Sequence, residues 1–97
     1  MSEINALVVD DSSTSRMLLK KILNKMDIHC EQASSGEDAI SQLSWFQPDF
    51  IFLDHLMPGI DGFETLKLIK TNPVTQHIPV IMYTSQHAHK YYEEAHA

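Results

Sequence analysis

The sequence predicts an α/β fold in which the strands of a parallel sheet alternate with helices, and two observations carry that prediction. Phe50–Asp54 begins with four bulky apolar residues, which is typical of a strand buried on both faces by covering helices. Three further strand-like runs are separated by segments in which apolar residues recur at helical spacing. Four strand–helix units in succession therefore indicate a parallel sheet with right-handed crossovers.

The first half of the chain contains two predicted strand–helix units. The first strand covers about Asn5 to Asp10, and the helix after it is capped near Ser12 or Ser13 and ends near Asp27. A short strand at 29–33 alternates weakly and is predicted at an edge of the sheet, before a second helix that begins in the turn at 34–37. The apolar faces of the two helices contain Leu18, Leu19, Ile22, Leu23 and Met26 in the first, and Ala39, Ile40, Leu43 and Phe46 in the second.

The second half repeats the pattern around a loop. Residues 55–62 follow the central strand and contain proline and glycine, which interrupt regular structure. A third helix is predicted to end before Asn72 and Pro73, and a fourth strand covers 79–84, with Pro79 at its start. A fourth helix is predicted from Ser85 onward. The apolar residues that mark the third helix are Phe63, Leu66 and Ile69.

Composition limits the class of protein. The 97 residues suit one domain, 1–97, and 43% hydrophobic content is ordinary for a globular chain. Seven basic and thirteen acidic residues give a net charge of −6, which argues against a nucleic-acid surface. No apolar run has the length of a membrane span. Cys30 is the single cysteine, so no internal disulfide forms and a cytoplasmic location is predicted.

Two of the predicted strands end in acidic residues. Asp54 closes the third strand, and Asp10 and Asp11 close the first, at the end where open α/β sheets bind their ligands. If these strands are neighbours, three carboxylates meet and repel, and a hard divalent cation relieves the repulsion. A helix N-cap explains part of the segment Asp10–Ser13 but does not require two adjacent acids. The pattern therefore favours a metal-assisted site.

The blocks of sequence around these acids resemble the receiver domain of two-component response regulators. The resemblance extends from the first strand to the last residue, and the blocks occur in the family's order. They are Val9–Ser12, Phe52–Asp54 with Met57–Gly62, and Ile78–Ile81 leading to Thr84 and Ser85.

This resemblance implies a flavodoxin-like (CheY-like) three-layer sandwich with strand order 2-1-3-4. It also implies that Asp54 accepts a phosphoryl group from a sensor histidine kinase or a phosphotransfer protein, in phosphorelay signalling. Mg²⁺ is the implied cofactor, bound directly by Asp11 and the backbone carbonyl of Leu56, with Asp10 helping through water. Thr84 matches the hydroxyl residue that turns toward the phosphoryl group. The domain is then a signalling domain that catalyses only its own phosphoryl transfer and hydrolysis, without direct contact to nucleic acid or membrane.

A second function stays open at this point. Receiver domains continue into a fifth strand and helix, with a lysine that contacts the phosphoryl group, whereas this sequence ends at Ala97 within the predicted fourth helix. The alternative is a receiver-like interaction module that is not phosphorylated because the lysine is absent. In the implied strand order the fourth strand then has an unpaired edge, which predicts a homodimer through strand four or the last helix.

Overall fold

The computed structural model of the chain describes residues 3–57 and 59–83, and within them strands and helices alternate as predicted. The predicted fourth helix and Thr84 lie outside the described residues. The strand Phe50–Asp54 has the predicted bounds, and the other elements agree with their predicted positions to within a few residues. The elements are β1 (Ile4–Val9), α1 (Ser13–Lys25), β2 (Ile28–Ala33), α2 (Gly36–Gln42), β3 (Phe50–Asp54), α3 (Gly62–Thr71) and β4 (Val80–Tyr83).

Each described helix begins at a side chain that accepts a hydrogen bond from its first turn. Ser12 Oγ caps α1 by accepting from the backbone N–H of Ser15 at 3.2 Å, which decides between the two caps that the sequence offered. Ser35 caps α2 and Asp61 caps α3 in the same way. Such caps replace hydrogen bonds that the first turn of a helix otherwise lacks, so each loop-to-helix boundary is fixed by its local sequence.

The strands form one parallel sheet in the order β2-β1-β3-β4, so the order implied by the family resemblance is confirmed. Val9 of β1 lies opposite Leu53 of β3, so the residues that follow them, Asp10 and Asp54, emerge side by side. On the other side of β3, Asp54 lies opposite Tyr83 at the end of β4. The register therefore brings the carboxyl ends of three strands together.

Alternate residues of the central strands supply two separate apolar clusters, one on each face of the sheet. One cluster packs against α2 and α3 and includes Leu7, Val9, Ile51, Leu53, Ala39, Leu43 and Ile69. The other packs against α1 and includes Ala6, Val8, Cys30 and Leu23. Because consecutive side chains of a strand point to opposite faces, a continuous apolar run such as Ala6–Val9 serves both clusters.

The face of the sheet that carries α1 is covered less completely than the sequence predicted. Of the apolar stripe on α1 only Leu23 is buried, whereas Leu18 is 61% exposed and Met26 is 64% exposed. Phe50 and Phe52 of β3 are correspondingly half-buried on this face. The reason is where α1 lies on the sheet: it packs mainly over β2 and β1 and does not extend far over β3 and β4.

Within the described residues, the part of β3 and β4 beside α1 forms an apolar groove of about 310 Å³, which we call the α1–β4 groove. Its lining comes from α1, β3 and β4 and consists of Ser15, Leu18, Leu19, Ile22, Phe52, Ile81 and Tyr83.

None of the helices within 3–57 and 59–83 has the length and apolar content needed to cross a lipid bilayer.

Candidate metal centre

Three carboxylates meet where β1 and β3 end. Asp10 and Asp11 follow β1, Asp54 ends β3, and one oxygen from each carboxylate lies within 4.8 Å of the other two. Asp10 and Asp54 are fully buried, and Asp11 is partly exposed. The convergence expected from the sequence is thus present, and the partly exposed Asp11 lies at the solvent side of the cluster.

Asp10 is held by hydrogen bonds at each of its side-chain oxygens. Its Oδ1 accepts from the backbone N–H of Ser12 at 2.9 Å, and its Oδ2 accepts from the hydroxyl of Tyr83 at 2.6 Å. The Arg16 guanidinium donates to the backbone carbonyl of Asp10 at 2.6 Å and to Oε1 of Gln32 at 3.1 Å. The carboxylate therefore has a fixed orientation before any ligand binds.

Asp54 is held at one oxygen only. Its Oδ1 accepts from the backbone N–H of Leu56 at 3.2 Å, whereas Oδ2 is buried and accepts no hydrogen bond from the described residues. Burial, opposed by the Leu56 N–H and reinforced by the charges of Asp10 and Asp11, raises the pKa of Asp54 from 3.8 to about 6. A buried carboxylate oxygen without a donor is uncommon and indicates a position where a ligand belongs.

The donor set at this edge fits a small divalent cation. Three carboxylates supply hard oxygen ligands, which Mg²⁺ and Mn²⁺ prefer over nitrogen or sulfur. The cation would also offset both the burial and the neighbouring negative charges that raise the pKa of Asp54, and it would satisfy the buried Oδ2 of that residue. The residues present therefore suit the cation that the sequence predicted.

The loop after β3 is fixed by close contacts on both sides. A Cβ at Gly62 would overlap the Asp54 carbonyl oxygen and the backbone of His55, so the start of α3 lies directly against Asp54. Gly59 has a φ of +80°, a conformation that favours glycine, and it lies against the carboxylate of Glu37. Gly59 thus lies close to α2, and Gly62 lies close to the end of β3.

Comparison with known proteins decides the family. The family model of the response regulator receiver domain matches residues 6–97. The chain belongs to this family. Receiver domains act in signalling and are phosphorylated on an aspartate, so the acidic cluster lies in a domain whose family function is known.

Two curated relatives of this receiver domain are longer proteins. PilG of Pseudomonas aeruginosa is 36% identical over 83 residues, which cover 86% of this chain and 62% of PilG. The response regulator PleD of Caulobacter vibrioides is 38% identical over 79 residues, which cover 81% of this chain and 17% of PleD. The chain thus spans less than two thirds of the length of either relative.

Solved structures agree with the sheet order and the helices. The N-terminal domain of a response regulator receiver protein from Methanoculleus marisnigri has a TM-score of 0.81 and 36% identity, over 94% of this chain and 78% of that one. The chemotaxis response regulator CheY4 of Vibrio cholerae has a TM-score of 0.82 and 26% identity, over 96% of this chain and 78% of that one. The predicted CheY-like fold is therefore confirmed.

The structure brings together some of the predicted site residues of the receiver domain. Asp10, Asp11 and Asp54 converge, and Leu56 directs its backbone N–H to Asp54, while the ligand role of its carbonyl stays a prediction. Thr84 lies outside the described residues. Sequence reasoning missed Tyr83, although an aromatic residue with a polar tip at the carboxyl end of a strand was a usable signal.

Proposed function

We propose that this receiver domain accepts a phosphoryl group on Asp54 from a phosphohistidine of a sensor histidine kinase or a phosphotransfer protein. The observation that carries the proposal is the buried Oδ2 of Asp54, which has no donor among the described residues and lies beside Asp10 and Asp11. The oxygen that attacks phosphorus needs a lone pair that is not already accepting a hydrogen bond, and Oδ2 of Asp54 accepts none from the described residues. The domain would act as a switch in phosphorelay signalling.

In the proposed reaction a carboxylate oxygen of Asp54 forms a bond to phosphorus as the bond between phosphorus and the donor imidazole breaks. The electron pair of that bond stays on the imidazole, which then takes up a proton. A pKa of about 6 leaves Asp54 mostly ionised near neutral pH, so the nucleophile is available. The Leu56 N–H holds Oδ1 and so orients the carboxyl group for attack.

The proposal assigns Mg²⁺ to Asp11, Asp10 and the backbone carbonyl of Leu56, together with Asp54. When bound, the cation neutralises negative charge on the phosphoryl oxygens and on the acidic residues around them. The hydrogen bonds from Ser12 and Tyr83 keep Asp10 oriented for this task. Thr84, the residue after Tyr83, would donate its hydroxyl to the phosphoryl group and so report its presence.

The experiment that tests the acceptor uses acetyl phosphate as the donor, with Mg²⁺, and intact-protein mass spectrometry as the measurement. One phosphoryl group, stable in acid and labile in base, is expected on the unsubstituted chain, and none on Asp54→Asn. Asp49→Asn is the matched control, because Asp49 is an exposed acid immediately before the opposite end of β3. It should be phosphorylated like the unsubstituted chain.

The same experiment separates the proposal from its alternative. A chain that binds Mg²⁺ and yet stays unmodified would favour a receiver-like interaction module that acts without phosphorylation. Phosphorylation that persists in Asp54→Asn would place the acceptor elsewhere and contradict the proposal.

The proposal also includes a cytoplasmic location and a homodimer. The cytoplasm is supported by Cys30, a free and buried cysteine with no disulfide partner. The dimer is supported by β4, which pairs with β3 on one side and has no second neighbour within the described residues. Ile81 of this strand is 46% exposed beside the α1–β4 groove, so the contact would bury apolar surface.

A further inference from the structure

Tyr83 joins the ends of three strands. Its backbone lies opposite Asp54, and its carbonyl accepts from the N–H of His55 at 3.1 Å, so it is tied to the end of β3. Its hydroxyl donates to Oδ2 of Asp10 at 2.6 Å, although Asp10 follows β1, on the far side of β3. Two strand spacings amount to roughly 10 Å, so the side chain passes across the end of β3.

The ring of Tyr83 lies at the apolar groove between α1 and β4. It is half-buried and lines the α1–β4 groove together with Leu19, Phe52 and Ile81. The hydroxyl is the donor in the hydrogen bond to Oδ2 of Asp10. The side chain thus directs a hydrogen-bond donor at one oxygen of the acidic cluster.

We propose that Tyr83 is a positioning residue that fixes the Asp10 carboxylate for divalent-cation binding and thereby sets the affinity of the site. The inference rests on the proposed metal site. A short hydrogen bond from a neutral donor stabilises the negative charge of Asp10, which Asp54 and Asp11 otherwise oppose. It also fixes the side-chain orientation that a ligand must keep, and loss of such supporting hydrogen bonds typically lowers metal affinity by about 10–100-fold.

The proposed role of Tyr83 couples the end of β4 to the metal site. The cation affinity depends on a hydroxyl carried by β4, so the position of that strand end and the occupancy of the metal site influence each other reciprocally. Tyr83 immediately precedes Thr84, the proposed switch hydroxyl, so the metal site and the switch segment are joined through one residue.

The test measures Mn²⁺ binding by electron paramagnetic resonance, with urea unfolding of each variant in parallel. Tyr83→Phe removes only the hydroxyl and should weaken Mn²⁺ binding by about tenfold. It should also lower the free energy of unfolding, because the buried Oδ2 of Asp10 loses this donor. Tyr83→Leu also removes the ring, so it should lose stability and bind Mn²⁺ as weakly as Tyr83→Phe. Ile81→Ala lies on the same face of β4 and should lose stability without changing Mn²⁺ affinity.

The outcomes separate the role of Tyr83 from the metal site itself. Equal or tighter Mn²⁺ binding by Tyr83→Phe overturns the positioning role while the metal site stands. The same role is overturned if Ile81→Ala weakens binding as much as Tyr83→Phe does, because general loosening of β4 then explains both. Absence of Mn²⁺ binding by the unsubstituted chain, or binding unchanged in Asp11→Ala, overturns the metal site and with it the inference.

Discussion

At the scale of single residues, Asp54 is placed where its negative charge is unfavourable. The carboxylate is fully buried, has two other acids beside it, and receives one backbone hydrogen bond. An apolar side chain of similar size would be more stable in this position, so the acid reflects function rather than folding. The strain is electrostatic and is largest when Asp54 is ionised and no cation is present.

The raised pKa of Asp54 predicts the pH dependence of stability. Because folding raises this pKa from 3.8 to about 6, the fold favours the protonated form, and stability falls as pH rises between these values. Without metal, Asp54→Asn should therefore be more stable than the unsubstituted chain near pH 7, by on the order of 1–3 kcal/mol. The difference should become small near pH 4, where both side chains are uncharged.

Urea unfolding in EDTA at these two pH values measures the difference. Glu3→Gln serves as the control because Glu3 is an exposed acid outside the acidic cluster, so its replacement should change the free energy of unfolding little at either pH. An Asp54→Asn stabilisation of equal size at both pH values would mean that packing, and not ionisation, is responsible.

The sequence alone allowed the acidic residues of the site to be predicted, but not the side chains that form hydrogen bonds with them. Asp10, Asp11 and Asp54 could be found because an apolar strand that stops at a carboxylate is visible in the sequence itself. The hydrogen bond from Tyr83 to Asp10 joins residues that are 73 positions apart in the sequence. It forms because the strand order places β1 and β4 on either side of β3 and the register aligns the ends of these strands. Such a contact depends on strand order and register together, which the hydrophobic pattern of one segment does not contain.

At the scale of secondary-structure elements, periodicity predicted which residues share a face but not which faces are covered. Phe50–Asp54 was predicted with its observed bounds, because the apolar run begins and ends sharply. The stripe on α1 has the predicted helical spacing, yet Leu18 and Met26 are exposed. Whether an apolar residue of a helix is buried depends on which other elements pack against that helix. The apolar pattern within one helix therefore could not predict the burial of its residues.

Gly62 offers a test of how closely α3 supports Asp54. Replacing a helical glycine by alanine ordinarily stabilises a helix by up to about 1 kcal/mol. At Gly62 the added methyl group would overlap the backbone of His55 and the Asp54 carbonyl, so Gly62→Ala should instead destabilise the fold by roughly 1–3 kcal/mol. It should also weaken Mg²⁺ binding, because the end of β3 must move.

Thermal melts with and without Mg²⁺ would measure both effects. Lys67→Ala is a suitable control, because Lys67 is an exposed residue of the same helix and should leave both quantities nearly unchanged. A Gly62→Ala variant as stable as the unsubstituted chain would show that α3 and the loop can shift without cost.

At the scale of the whole molecule, the two faces of the sheet differ in how they are closed. The α2–α3 face buries a continuous cluster that extends to Met82 of β4. The other face ends in the α1–β4 groove, where Ile22 and Ile81 are partly exposed. Contiguous apolar surface of this kind marks an interaction site on many proteins, and the groove lies next to the outer strand of the described sheet.

This asymmetry makes the predicted homodimer testable at a defined surface. We expect sedimentation to show a monomer–dimer equilibrium that shifts toward the dimer as concentration increases. Ile81→Lys should weaken the dimer, because it puts a charge on an apolar contact whose burial drives association. Met82 is unsuitable as a probe, because its side chain packs in the α2–α3 cluster and a lysine there would disrupt the fold.

Ile4→Lys provides the matched control for this last prediction. Ile4 and Ile81 are strand residues with the same exposure, 46%, but Ile4 lies at the start of β1 and does not line the groove. A general effect of added positive charge on a chain of net charge −6 would change both variants equally. Selective loss of the dimer in Ile81→Lys therefore assigns the contact to the β4 side of the groove. A folded, concentration-independent monomer for the unsubstituted chain would contradict the dimer.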